Sequence, residues 1–160
     1  MQELSYLSQV IYEALRFMPP AATSSQLWLS EDAKVGDYLI RAGDKITLNM
    51  RGLHRNASQW QRPDEFLPER FDNSHPLSLT PKGGKRLPTS WLAFHGGKRI
   101  CFGKTFAEAN VRVATTYLSQ YFDFEFVEKE LYPDSNNLPL LHVAQNYFPK
   151  VLVTFTLRRK

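Results

Sequence analysis

Between residues 56 and 93 the chain carries Pro63, Pro68, Pro76, Pro81 and Pro88. Each proline fixes its own φ and offers no amide hydrogen, so none can sit inside a helix or a central strand. Neighbouring prolines here are five to eight residues apart, which leaves no room for a regular element longer than a turn or two. The rest of the stretch shows neither a helical nor a strand period. A connection this long in a compact domain is functional or wrapped around something. The fold must therefore place structured segments on either side of a long irregular strap, and Lys82-Gly83-Gly84-Lys85-Arg86 within it reads as an exposed basic loop.

Before the strap, Leu4, Leu7, Ile11, Leu15 and Met18 recur at three- and four-residue steps, one apolar helical stripe. Pro19-Pro20 stops that helix. Only Met1-Gln2-Glu3 precedes the stripe, with no capping sequence, so the helix reads as one already under way inside a larger protein. Residues 35–40 and 45–50 are strand-like and flank Ala42-Gly43-Asp44, the pattern of a hairpin. After the strap, a second helix is expected over residues 103–121, with Phe106, Ala107, Val111, Ala114, Leu118 and Tyr121 buried and Glu108 and Arg112 outside. Residues 122–127 and 150–157 alternate like strands, and 133–137 form a turn. The class is α+β, with two main helices and several short antiparallel strands in a single segment spanning residues 1–160.

Hydrophobic residues at 42% and aromatics at 13% allow a packed core and exclude a disordered tail or a fibrous repeat. The net charge of +4 is scattered rather than gathered into a stripe, which argues against nucleic-acid binding. Arg158-Arg159-Lys160 reads as a solvated end. No run approaches 18 apolar residues, and the N-terminus lacks the layout of a signal peptide. One cysteine, Cys101, excludes an internal disulfide and an all-cysteine zinc site.

That cysteine lies in Phe94-His95-Gly96-Gly97-Lys98-Arg99-Ile100-Cys101-Phe102-Gly103. Glycines allow positive φ and close approach of the backbone to a flat ligand. A helix starting just beyond Cys101 turns its free amides and positive dipole end toward the sulfur, and Arg99 adds a cation; both favour the thiolate. A thiolate metal ligand is one reading. A buried structural cysteine is another, though it would not need this setting. A nucleophilic cysteine would take His95 as its base, and a zinc site would need ligands that the scattered His54, His75, His95 and His142 do not provide in metal-binding spacing.

The segment also resembles the haem-binding loop of the cytochrome P450 superfamily, Phe-x-x-Gly-x-Arg-x-Cys-x-Gly, with Phe94, Gly97, Arg99, Cys101 and Gly103 at its fixed positions. Glu13-Ala14-Leu15-Arg16 resembles that family's Glu-x-x-Arg helix, followed by Pro19-Pro20. Pro68-Glu69-Arg70-Phe71 resembles its Pro-Glu-Arg-Phe segment, preceded by His54-Arg55, Trp60, Pro63 and Phe66 in familiar spacing. Three motifs in the family's order cover essentially the whole chain, and eukaryotic microsomal members are the nearest in pattern.

The resemblance implies the C-terminal, haem-binding part of that fold, about the last third of such a protein. Cys101 would be the axial thiolate of haem iron, donating electron density that helps split the O–O bond. Arg99 would bind a haem propionate, Phe94 would pack beside the sulfur, and Gly97 and Gly103 would leave room beneath the ring. Glu13, Arg16 and Arg70 would form a structural triad. Ala22, Thr23 and Ser24, and Tyr147 and Phe148 in a late hairpin tip at 145–148, would face substrate. Lys98 and Lys104 would meet a flavoprotein reductase bringing electrons from NADPH. The intact protein would be a monooxygenase acting with O2 on a small lipophilic organic substrate, associated with the endoplasmic reticulum membrane. The acid–threonine helix and membrane anchor of such proteins have no counterpart in these residues. The alternative is a truncated, non-catalytic haem-binding or interaction module. Departures from the pattern are His95 where glycine is common, Ala93 for a frequent proline, Asn110 for a frequent glutamate, and no arginine near Gln26-Leu27-Trp28.

Overall fold

The computed structural model describes residues 6–127, 140–143, 146–149 and 152–158. Helix α1 (Tyr6–Phe17) ends at the two prolines, as expected, with the Met18 amide donating to the Ala14 carbonyl as its last helical bond. Its deepest face is not the apolar stripe. Ser8, Ile11, Glu13, Arg16 and Phe17 are buried, while Leu7 and Leu15 are half-buried. The helix is rotated toward polar partners because the strap supplies them, and residue periodicity carries no record of partners fifty residues away.

Four short strands follow: β1 (Leu27–Trp28), β2 (Ala33–Val35), β3 (Tyr38–Ile40) and β4 (Lys45–Ile46). They correct the expected hairpin. The tight turn falls at Gly36-Asp37, where Gly36 has φ +59°, and pairs β2 with β3 through Ala33↔Ile40 and Val35↔Tyr38. Residues 45–46 pair instead with β1, Leu27↔Ile46 and Trp28↔Lys45. The 42–44 turn is real, with Gly43 at φ +87°, but it returns the chain to β1: Gly43 donates to the Leu29 carbonyl at 2.8 Å. Asp32 fastens the arrangement by accepting from the Ala42 amide at 2.8 Å and from Arg41 at 2.8 Å. A single helical turn, α2 (Met50–Leu53), is capped by the Asn49 side chain, which accepts from Gly52 N–H at 2.8 Å.

The strap folds as the prolines dictate. Three 3₁₀ turns, Pro68–Phe71, Pro76–Ser78 and Pro88–Ser90, each begin on a proline, where the missing amide has no helical acceptor to lose. The first packs along α1. Between them lies an aromatic cluster. Tyr12 meets Trp91 at 5.3 Å and Phe71 at 5.7 Å, Phe71 meets Trp60 at 6.0 Å, and Trp91 meets Phe94 at 6.4 Å between ring centroids.

Helix α3 (Lys104–Tyr121) starts one residue later than the sequence suggests. Its expected buried stripe is not buried: Phe106 is 75% exposed, and Val111 and Leu118 are also exposed. Helix α3 contacts α1, and its half-buried residues are Lys104, Ala107, Glu108, Thr115 and Tyr121, so only Ala107 and Tyr121 of the expected stripe are even partly covered. Glu108 and Arg112, expected outside, lie close enough to Tyr12 to act on its hydroxyl. Burial chiefly, then Glu108, holds that group above its ordinary pKa, with Arg112 opposing. Strand β5 (Phe122–Phe126) pairs antiparallel with β8 (Val153–Leu157), and β6 (Leu140–Val143) with β7 (Asn146–Pro149). The turn expected at 133–137 lies outside the described residues.

Candidate functional site

The buried centre is ionic. Glu13 and Arg16 are three residues apart on α1, and both side chains are fully buried. Arg16 donates from Nε to Glu13 Oε2 at 2.7 Å and from Nη2 to Oε1 at 2.9 Å. Arg70, arriving from the first 3₁₀ turn, donates from Nε to Oε1 at 3.1 Å, and the Leu67 amide adds a fourth donor at 2.7 Å. One carboxylate thus serves two buried guanidinium groups. Carbonyls take up the remaining donors: Arg16 meets those of His54, Pro63 and Glu65, and Arg70 those of Gln61, Arg62 and Glu65. Burial pulls the Arg70 pKa below its ordinary value, with Glu13 the main opposing influence.

A third cation joins them. Arg86 donates to the Leu77 carbonyl at 2.8 Å and the Arg70 carbonyl at 2.7 Å, and lies 4.3 Å over the Trp60 ring. Arg16 lies 5.3 Å from the same ring, so the buried indole contacts two guanidinium groups. Burial first, then Arg70, lowers the Arg86 pKa to about 10. The basic loop at 82–86 is therefore exposed over residues 82–85, while Arg86 reaches inward.

The cysteine loop hangs from this centre. His54, fully buried, accepts the Leu92 amide on Nε2 at 2.9 Å, and its ring stacks with Trp91 at 6.4 Å and 16°. Leu92 in turn accepts the His95 amide at 2.9 Å. His95 and Gly97 both have φ +59°. The backbone here thus explains why glycine suits position 95 and why histidine there is strained. The Cys101 amide donates to the Phe94 carbonyl at 2.8 Å, closing the loop, and the Cys101 carbonyl accepts from Lys104 at 3.2 Å as α3 begins.

Within this loop Cys101 and Arg99 are exposed and Phe94 is half-buried. Gly103 has no positive φ. A methyl added there would stand 3.8 Å from the Cys101 sulfur, an ordinary van der Waals contact, so the protein by itself does not require glycine at this position. A cavity of about 510 Å³ opens next to the loop, lined by Ser24, Leu48, Leu92, His95, Gly97 and Arg99 among others. Of the residues expected to face substrate, Ser24 lines this cavity. Its hydroxyl is already occupied, accepting from Leu48 N–H and donating to the Ser25 carbonyl, both at 2.9 Å. Ala22 is buried and Thr23 half-buried. The backbone of Tyr147 pairs with His142 and that of Phe148 with Leu141; Gln145 lies outside the described residues. Lys98 is exposed and Lys104 half-buried.

Among the described residues no group of three or more His, Cys, Asp or Glu side chains could share a metal ion. A metal bound at Cys101 must bring most of its own ligands. No helix among the described residues is long and apolar enough to cross a membrane. Of the residues singled out from the sequence, Glu13, Arg16 and Arg70 are brought together in one buried cluster, and Cys101 and Arg99 lie exposed in one loop. Sequence reading passed over His54, Leu92 and Arg86 as site residues, although the His54-Arg55 spacing was itself a signal.

A family model described as cytochrome P450 matches residues 1–151. The chain is 35% identical over 135 residues to (+)-vincadifformine 19-hydroxylase of Catharanthus roseus, covering 84% of this chain and 24% of that protein. It is 33% identical over 140 residues to the steroid 17-alpha-hydroxylase/17,20 lyase of Felis catus, covering 87% of this chain and 25% of the relative. A retinoic acid-bound cyanobacterial structure, CYP120A1, superposes with a TM-score of 0.76 at 27% identity, over 96% of this chain and 32% of the other. The chain spans about a quarter of the length of the curated relatives it matches.

Proposed function

The chain belongs to the cytochrome P450 family, whose members hold haem through a cysteine thiolate, and on that footing we propose that Cys101 is the axial ligand of a haem iron. The observation that carries this is the loop itself. One exposed thiol sits at the head of α3, its amide tied to Phe94, in a loop whose His95, Gly97 and Arg99 border a cavity. Haem would suit this donor set because its porphyrin brings its own nitrogen ligands, so that one protein sulfur would be enough to hold it where no group of three or more His, Cys, Asp or Glu side chains gathers among the described residues.

When bound, haem supplies the activation of dioxygen. The chain's own residues hold and orient it. Cys101 provides the sulfur, and the backbone hydrogen bond from Cys101 to Phe94 fixes the main chain that carries it. Arg99 pairs with a propionate, which its exposed guanidinium is free to reach. Phe94 shields the sulfur on the side of Trp91, and Gly97 and Gly103 keep the loop low. Glu13, Arg16 and Arg70 support the loop and do no chemistry.

The longer protein of which residues 1–160 would be the carboxyl-terminal, haem-binding portion inserts one oxygen atom from O2 into a small lipophilic organic substrate. Electrons come from NADPH through a flavoprotein reductase docking near Lys98 and Lys104, at the endoplasmic reticulum membrane. A steroid, vincadifformine and retinoic acid in the names of the relatives support that substrate class. On their own, the 160 residues bind haem without hydroxylating substrate.

The test is haem titration of the 160-residue chain, followed by reduction under carbon monoxide. The expected result is the long-wavelength Soret band of a thiolate-ligated complex, lost in Cys101→Ser. Survival of that band in the serine variant overturns the assignment. Arg99→Leu should weaken haem binding by about 10-fold or more, the worth of one charge-assisted hydrogen bond.

A further inference from the structure

We propose that His54 is a positioning residue, the link through which the buried Glu13–Arg16–Arg70 cluster holds the cysteine loop in place. The proposal rests on Cys101 being the haem ligand. His54 is bonded in both directions. Its carbonyl accepts Arg16 Nη1 at 2.9 Å, and its Nε2 accepts the Leu92 amide at 2.9 Å. Its own amide donates to the Met50 carbonyl at 2.9 Å, so α2 fixes the backbone that carries the ring.

From Leu92 the chain of contacts runs directly into the loop. The Leu92 carbonyl accepts the His95 amide and so sets the left-handed turn at His95. The Leu92 side chain lies 3.2 Å from where a methyl on Gly96 would stand. Four residues beyond Gly97 comes Cys101, whose amide returns to Phe94. His54 therefore fixes the entry of the loop, as α3 fixes its exit.

Packing alone does not account for a histidine here. Because Nε2 accepts a backbone N–H, the ring is neutral with its proton on Nδ1. That nitrogen is buried and makes no hydrogen bond of normal geometry among the described residues, although the Arg16 backbone still favours the ring's protonated form. A phenylalanine would fill the space and stack on Trp91 without burying a poorly paired donor. What it could not do is accept the Leu92 amide. The histidine is retained for its acceptor, and the acceptor serves only the segment that leads to Cys101.

Two variants of the 160-residue chain separate this role from bulk packing. His54→Gln places an amide oxygen near the position of Nε2, whereas His54→Phe keeps the volume and the stacking and removes the acceptor. Amide exchange should quicken about 10- to 100-fold at Leu92 and His95 in the phenylalanine variant. The amides of α1 should keep wild-type protection. With haem and carbon monoxide, the thiolate-type fraction should fall in His54→Phe and recover in His54→Gln. Wild-type protection at Leu92 in His54→Phe overturns the proposal. So does a glutamine variant no better than the phenylalanine one, or a loss of protection that extends equally through α1. If the wild-type chain gives no thiolate spectrum, the assignment of Cys101 fails, while exchange at Leu92 still decides whether His54 holds the loop.

Discussion

Replacing Glu13 by glutamine preserves the shape of the buried cluster and removes its one negative charge. Oε1 receives three donors, Arg16 Nη2, Arg70 Nε and the Leu67 amide, and Oε2 receives Arg16 Nε. The amide's oxygen is best spent on the three-donor position, which leaves its NH₂ facing the Arg16 Nε–H, donor against donor. Arg16 and Arg70 then remain buried as cations with no counter-charge. Breaking a buried pair in this way costs about 3–5 kcal/mol, against a total stability on the order of 5–15 kcal/mol. In a chain of this size that corresponds to a fall of roughly 6–20 °C in Tm. Thermal and urea unfolding followed by circular dichroism would read it, and a double-mutant cycle with Arg70→Met should return a coupling above about 1 kcal/mol. A loss below about 1 kcal/mol would place the cluster with ordinary surface pairs, and the argument that it anchors the fold would fail.

Two other outcomes follow from the site. Burial holds the His54 pKa down at about 4 against an ordinary 6.5, with a backbone hydrogen bond at Arg16 opposing it and the Arg16 charge adding to it. The unfolded chain thus binds the proton first, and stability should decline by about 3 kcal/mol as pH falls from 6.5 through 4; a urea-midpoint profile in His54→Phe as steep as wild type over that window would refute this. Gly97→Ala should cost about 1–2 kcal/mol because φ is +59° there, whereas Gly103→Ala, with no positive φ and only an ordinary 3.8 Å contact between the new methyl and the Cys101 sulfur, should leave urea stability within about 0.5 kcal/mol of wild type.

How much of this was legible in the sequence depended on how local each cause is. The loop at 94–103 was legible because its shape is set by its own residues: Gly97 takes a left-handed turn and the Cys101 amide closes back on Phe94. The start of α3, the stop at Pro19 and the absence of long regular elements among Pro63, Pro68, Pro76, Pro81 and Pro88 were legible for the same reason. The hairpin was misread because Gly36-Asp37 and Gly43-Asp44 offer equal turn chemistry. What separates them is remote: Asp32 binds Ala42 and Arg41, and β1 takes residues 45–46 as its partner. Glu13 and Arg16 on the inner face of α1 were invisible to hydrophobic periodicity, which scores a charge as outside. A motif resemblance found them, and the carbonyls of residues 54, 63 and 65 explain how their burial is tolerated.

The two anchors of the cysteine loop differ in kind, and this bears on how the site fails. Upstream, the apolar core of Ile11, Phe17, Ala22, Met50 and Trp60 is outnumbered by buried polar groups, among them Glu13, Arg16, His54 and Arg70. Such an anchor is directional: its hydrogen bonds hold one geometry and tolerate few substitutions. Downstream, α3 has no buried residue among those described, and its contact with α1 runs through half-buried side chains near Tyr12. That anchor is permissive. Changes in the first group should therefore disturb the position of Cys101 before they disturb α3. Changes along α3 should loosen the helix while leaving the Leu92–His95 turn intact, since that turn draws its bonds from His54 and from itself.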